Sequence, residues 1–346
     1  MNVNYMYSLI AVIVLFLISY VGVAALHLQV VFGILIPYLA VAVFIGGFIY
    51  RILDWGRSPV PFPIATTGGQ QKSFPWIKHS YFDNPSSKAG VVGRMALEVL
   101  TFRSLFRNTK FEKKEGDKFS YEWEKWLWLF ALAFHASFAV VIIRHLRFFT
   151  EPVLAPVQVL EKLDSFFQVG LPVVFISGVV LLAATTALFA RRVYIPSMRY
   201  ISLSSDYFPL FLIGGIAISG LLMRYFAKTD IVAVKEIAMG LVTFRPTMAA
   251  GVDPIFYVHL FLVSVLLAYF PFSKLMHLGG IFMSPTRNLQ GNSRAFRHEN
   301  PWNYPVKIHT YAAYEDDFRE KMVEAGLPVE KMPEPTEEEP EEEKKE

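Results

Sequence analysis

The run from Trp126 to Phe149, WLWLFALAFHASFAVVIIRHLRFF, is long and apolar enough to cross a bilayer, yet it carries His135 and His145. A second such run lies near the end of the chain. From Ile255 to Leu278 the sequence reads IFYVHLFLVSVLLAYFPFSKLMHL and holds His259 and His277. An ionisable side chain at membrane depth is costly and rare, and it marks a functional site by default. Four of them on two helices demand one common explanation.

Hydrophobic residues make up 53% of the 346 and are bunched into membrane-length runs. The chain therefore reads as all-α, a polytopic membrane helical bundle with six transmembrane helices at about 5–26, 30–50, 126–149, 169–190, 207–226 and 255–278. The first run follows neither a positive segment nor a small-residue cleavage site, so it reads as a retained helix. Cysteine is absent. Disulfides, thiolate iron–sulfur ligation and covalent c-type haem attachment are thereby excluded in this chain.

The organisation follows from these runs. Residues 1–50 form a transmembrane hairpin whose second helix leads into the core, and Gly46 and Gly47 suit close helix approach. Residues 51–125 form a basic cytoplasmic or interfacial segment with thirteen Lys and Arg. Residues 126–280 form a four-helix membrane core, 281–327 a cytoplasmic partner-docking segment, and 328–346 an acidic tail of nine glutamates against three lysines that cannot bury a core and reads as disordered. The formal charge of +3 thus hides a body of about +9. The connections at 150–168 and 227–254 hold only Lys162, Lys228, Lys235 and Arg245, so the positive-inside rule places both termini and 51–125 in the cytoplasm.

Residues 57–87, rich in proline and with glycine pairs such as Gly68-Gly69, read as an irregular loop. Residues 93–107 place Met95, Val99, Phe102 and Phe106 on one helical face, with Arg94, Arg103 and Arg107 elsewhere. Such a helix either lies on the inner membrane surface or docks a partner. Ile231 to Phe244 reads as a short helix covering the outer end of the bundle.

Helix geometry constrains the four histidines. Eighteen residues are five turns, which puts His259 and His277 on one face, and ten residues leave His135 and His145 about 80° apart. Opposite helix directions then pair His145 with His259 near the outer surface and His135 with His277 near the inner one. The pairs are separated by roughly 15 Å along one helix and 27 Å along the other, which requires tilt or a bend, and Pro271 is the natural place for it. Two imidazoles on facing helices among apolar walls are what a b-type haem needs. Two alternatives stay open: histidines satisfied by interhelical hydrogen bonds, and a proton or divalent-metal transporter. Haem propionates call for cations, for which Arg144 and Arg147 stand at the outer end and Arg191, Arg192 and Lys274 at the inner end.

The two histidine spacings, the segment LVTFRPTMAAGVDPIFYVHLFLVSVLLAYFPFSKLMHL and the SPTRN that follows resemble the gamma-subunit family of respiratory nitrate reductases over roughly residues 30–290. The additional first helix, the long basic segment and LEVLTFRSLFRN ahead of the first histidine helix resemble the DsrM type, the membrane cytochromes b of sulfite-reduction-associated complexes (DsrMKJOP-type). The resemblance implies a di-haem cytochrome b with His135, His145, His259 and His277 as axial ligands of the haem iron. It implies menaquinone or menaquinol as redox partner, with Lys162 and Asp164 at the quinone site. It further implies a cytoplasmic iron–sulfur, DsrK-like, heterodisulfide-reductase-like subunit, other membrane and extracytoplasmic cytochrome subunits, and a place in the plasma membrane of a prokaryote. No substrate chemistry is expected beyond redox exchange with quinone. His27 falls at a hairpin tip, and His79, His298 and His309 lack metal-ligand spacing.

Overall fold

The computed structural model describes residues 4–60, 69–113, 116, 119–167, 172–299 and 308–332. Gly68, residues 169–171 of the expected fourth span and residues 333–346 of the acidic tail lie outside them. Among the described residues six helices are long and apolar enough to cross a membrane: Asn4–Ala24, Val31–Arg57, Lys125–Phe148, Ile176–Tyr194, Ser204–Ala227 and Pro254–Phe272.

Helix α1 (Asn4–Ala24) and helix α2 (Ile36–Arg57, entered through a π-helical turn at Val31–Leu35) make the opening hairpin. It is tight because Gly22 has no side chain: a Cβ there would lie 2.5 Å from Cε2 of Phe32. Next come α3 (Lys88–Thr101) and α4 (Arg103–Phe106), then an antiparallel ribbon of β1 (Thr109–Lys113) and β2 (Phe119–Trp123). The core spans follow with their connecting helices: α5 (Lys125–His145), α6 (Ala155–Asp164), α7 (Ile176–Tyr194), α8 (Pro196–Ile201), α9 (Ser204–Leu221), α10 (Ile231–Val242) and α11 (Pro254–Tyr269). Beyond them lie α12 (His277–Met283), α13 (Pro285–Asn288) and α14 (Tyr311–Glu324).

Helix α5 packs on α7, α7 on α9, and α9 on α11, while α1 fits against both α9 and α11, and α2 against α11. Among the described residues α5 and α11 share no extensive backbone packing. They close the four-helix core through their histidine side chains. Apolar clusters seal the rest, Val12 with Leu212, Val258 and Leu262, and Val23 with Phe32, Ile237, Phe256 and Tyr257. We call the end that holds α6 and α10 the upper end and the end that holds α12 and the chain's first residues the lower.

The structure departs from the sequence expectations in four places. The last span does not run unbroken to Leu278: α11 stops at Tyr269, a 3₁₀ turn covers Phe270–Phe272, and Ser273 is extended before His277 begins α12. Pro271 has no N–H to continue the helix, and the Ser273 hydroxyl caps the next turn by accepting from the Leu275 amide at 3.2 Å. Gly47, without a Cβ, accommodates this corner, since a Cβ would meet Pro271 at 2.7 Å, whereas Gly46 faces open space.

The described part of the fourth span begins at Ile176, later than expected, with Phe175 extended just before it. The carbonyl of Val173 is used elsewhere, accepting from Arg224 at 3.1 Å. The helix expected at 93–107 starts earlier, at Lys88, and breaks at Phe102 in the left-handed region (φ 50°). Arg94, placed by its spacing on the polar face, is instead buried beside Glu98 where α3 meets α13. Phe102 and Phe106 turn onto α5, at His135 and Trp128. Finally, the β ribbon stands where no strand was expected. Its signal was the aromatic alternation of TKFEK and FSYEW across a glycine-containing turn.

Candidate functional site

Histidine rings meet in two places. His145, the last residue of α5, lies with its ring centre 6.4 Å from that of His259 on α11, the planes 15° apart. His135, ten residues earlier, lies 5.9 Å from His277 at the start of α12, with planes 84° apart. His277 reaches α5 because the chain breaks at Ser273. It is exposed, whereas the other three are partly covered.

In every one of the four rings Nδ1 is engaged with an oxygen. His135 Nδ1 lies 2.8 Å from the Ala131 carbonyl, His145 Nδ1 2.7 Å from that of Val141, and His277 Nδ1 2.9 Å from that of Lys274. A carbonyl only accepts, so Nδ1 carries the proton. For His259 the partner is the Ser219 hydroxyl on α9 at 2.9 Å, and that hydroxyl donates to the Ile216 carbonyl, so it too accepts from Nδ1. The outcome is the same tautomer four times: Nε2 keeps its lone pair, the state a metal-bound imidazole needs. Ser219 and Gly220, which sequence reasoning missed, set the His259 position. A Cβ at residue 220 would stand 3.3 Å from the imidazole Cε1.

This donor set fits a haem. Two imidazoles bound to one ion from opposite sides, each through a bond of about 2 Å, have ring centres roughly 6 Å apart. Both observed separations match. A porphyrin supplies the four remaining donors, whereas a transition-metal ion bound without one, such as zinc, is ordinarily held by at least three protein ligands. Among the described residues no group of three His, Cys, Asp or Glu converges to provide them.

The charged residues singled out in the sequence are tied to protein groups. At the upper end Arg144 pairs with Asp164 and donates to the Ser177 hydroxyl at 3.1 Å. Asp164, buried, accepts from both the amide (2.7 Å) and the hydroxyl (2.6 Å) of Ser177. Arg147 pairs with Glu161. Lys162, by contrast, points outward from α6 and has no ion pair among the described residues, so Lys162 and Asp164 are not partners. A second guanidinium, Arg224, was not singled out by the sequence. It and Arg144 both lie over the Phe175 ring, at 4.1 Å and 3.5 Å. Of the two, Arg144 is ion-paired with Asp164, while Arg224 donates to the Val173 carbonyl at 3.1 Å.

At the lower end Arg191 pairs with Glu124 at 3.0 Å, Arg192 donates to the Ser202 hydroxyl at 3.3 Å, and Lys274 pairs with Asp206 at 2.6 Å. Phe102 and Phe134 wall His135 edge-on at 4.9 Å and 5.1 Å.

The family model for the nitrate reductase gamma subunit matches residues 96–298, more than half of the chain and all four histidines. The chain belongs to the nitrate reductase gamma-subunit family. Curated relatives extend the similarity beyond that region. An Hdr-like menaquinol oxidoreductase cytochrome b-like subunit of Archaeoglobus fulgidus is 50% identical over 281 residues, 79% of this chain and 84% of the relative. One of the same name from Archaeoglobus profundus is 43% identical over 275 residues, 78% and 81% of the two chains. As a gamma-family member with six apolar spans, the protein is a multi-pass, cytochrome b-like membrane protein.

Proposed function

We propose that this gamma-family chain is a di-haem membrane cytochrome b that exchanges electrons with menaquinone or menaquinol and passes them across the membrane to a cytoplasmic iron–sulfur partner. One observation carries the reading: two histidine pairs toward opposite ends of the bundle, with ring centres 6.4 Å and 5.9 Å apart, close to the roughly 6 Å of two imidazoles that share one iron. His145 and His259 hold the upper haem, His135 and His277 the lower. Haem b supplies one-electron redox chemistry, and two protein ligands leave its iron no open position for oxygen.

The chain's own residues do the rest. The Ala131, Val141 and Lys274 carbonyls and the Ser219 hydroxyl keep each proton on Nδ1 and fix the ring planes. Arg144 and Arg224 supply positive charge for the propionates of the upper haem, while Arg191 and Arg192 stand at the lower end. Quinol docks beside α6, where the Lys162 ammonium donates to a quinone oxygen and Asp164 holds Arg144 in place. Its protons leave at the upper surface.

Basic residues crowd the lower end, and the positive-inside rule supports a cytoplasmic lower end and cytoplasmic termini. Residues 281–327 dock a heterodisulfide-reductase-like, DsrK-like subunit there. The names of the Archaeoglobus relatives support the quinol side and membership of an Hdr-like complex. The DsrM resemblance extends the assembly to further membrane and extracytoplasmic cytochrome subunits, with a sulfur-bearing disulfide or trisulfide reduced in the partner.

The test is a reduced-minus-oxidised spectrum of the purified protein with haem quantified per chain, followed by reduction with a menaquinol analogue. Two haems b per chain and quinol-driven reduction are expected. Absence of haem overturns the reading, and one haem per chain shows that one of the two pairs is misassigned.

A further inference from the structure

The β1–β2 ribbon is inside out. Its register sets Phe111 against Tyr121, Lys113 against Phe119 and Thr109 against Trp123, so all the aromatic residues share one face. That face is bare: Phe111 is 56% exposed, Phe119 58%, Tyr121 71% and Trp123 58%. Lys110 and Ser120, on the opposite face, are partly covered. Among the described residues Phe111 stacks on Phe119 at 5.1 Å and tilts on Tyr121 at 5.6 Å. A two-stranded ribbon is marginal by itself in water, and a contiguous apolar face of this kind marks an interaction surface.

The base of the ribbon is anchored where α5 starts. The Glu124 amide donates to the Asn108 carbonyl at 3.3 Å, and Glu124 alone separates β2 from α5. Two turns of α5 are pinned to the preceding segment, with the Trp128 indole donating to the Thr101 carbonyl at 2.7 Å. On α5 itself Trp126 is 70% exposed and Leu129 43%, the beginning of an outward apolar surface that continues up the span.

We propose that the aromatic face of the ribbon lies in the membrane interface, with phospholipid as its partner, and extends the lipid-facing surface of α5 sideways. Trp and Tyr rings have an apolar body and a polar tip and settle at headgroup depth. Lys113 shares the aromatic face, and the Lys125 ammonium sits 4.2 Å from the Trp123 ring at its base, so cations stand where lipid phosphates lie. Continuity with the outward face of α5 favours lipid over a protein partner. The inference does not depend on the redox reading.

The chain has no cysteine, so single-cysteine reporters are unambiguous. A nitroxide is attached at Phe111→Cys, Tyr121→Cys, Lys110→Cys or Ser120→Cys in the full chain, reconstituted into phosphatidylethanolamine–phosphatidylglycerol vesicles. Accessibility to oxygen and to a water-soluble nickel chelate is then compared. We expect residues 111 and 121 to favour oxygen severalfold over the chelate, and residues 110 and 120, on the covered face, to show low access to both reagents. Equal access of the chelate to all four places the ribbon in water and overturns the proposal. Shielding of 111 and 121 from both reagents means a protein cover and also overturns it. A check without cysteine uses Trp123→Phe: the emission it removes is quenched by brominated lipid in the unsubstituted chain, and unquenched emission refutes the placement.

Discussion

Ser219 on α9 and His259 on α11 are joined by a 2.9 Å hydrogen bond in which the serine accepts, and this is the one histidine whose Nδ1 is held by a side chain from another span. The other three lean on carbonyls of their own local chain. His259 is therefore the only one of the four whose support a single substitution removes. Ser219→Ala is expected to weaken haem retention at the upper pair by roughly 10–100-fold, as loss of such outer partners does, and to leave the lower pair filled. Haem per chain after graded detergent washing, with a redox titration of what remains, measures both halves.

Removing a ligand separates the pairs. His145→Ala and His259→Ala should each leave one haem with the same spectrum and potential, and His135→Ala and His277→Ala should each leave the other. If His145→Ala and His277→Ala matched instead, the pairing drawn from the ring distances would be wrong.

Adjacent glycines on α2 offer a sharper packing test. A Cβ at Gly47 would stand 2.7 Å from Pro271, in a corner that cannot give way easily, whereas one at Gly46 meets nothing within 4 Å. Gly47→Ala is expected to cost about 1–3 kcal/mol by overpacking and to displace the turn that carries His277. Gly46→Ala should be silent. Thermal unfolding in detergent and occupancy of the lower haem report the difference.

Asp83 makes the lower segment sensitive to acid. Burial works to raise its pKa, but hydrogen bonds from Arg103, Arg107 and Ser80, with the Arg103 charge, hold it well below the usual carboxylate range. A carboxyl depressed in the folded state contributes stability that is fully present above its unfolded pKa, about 4, and is lost as pH falls through the folded value. Proteolysis within residues 69–107 is therefore expected to change little from pH 8 to pH 5 and to rise below about pH 4. Asp83→Asn should show the susceptible state already at pH 7. Unchanged protection in that variant would remove Asp83 from the account.

Much of the membrane architecture was legible in the sequence because it is written locally. Each span is one apolar run, and the short cap α10 was visible in its own residues. The boundaries that failed did so at particular groups. The carbonyl of Val173, engaged by Arg224, is not free to start α7, and Phe102 in a left-handed conformation splits the interfacial helix. Arg94 was assigned to a polar face by periodicity, which cannot see the α3–α13 contact that buries it.

The sequence alone determined that this is a six-span bundle with four histidines in, or just beyond, two of its apolar runs. Run length and helical period are set within about twenty consecutive residues. Only the tertiary structure decided that His277 leaves the helix of His259 and approaches His135 from a separate short element. It alone decided that Ser219 holds His259, that Arg144 is bound to Asp164 while Lys162 is not, and that an aromatic ribbon is turned outward. The reason is physical: a hydrogen bond or an ion pair depends on which distant groups arrive within about 3 Å, and that is fixed by packing between elements, not by the period within one.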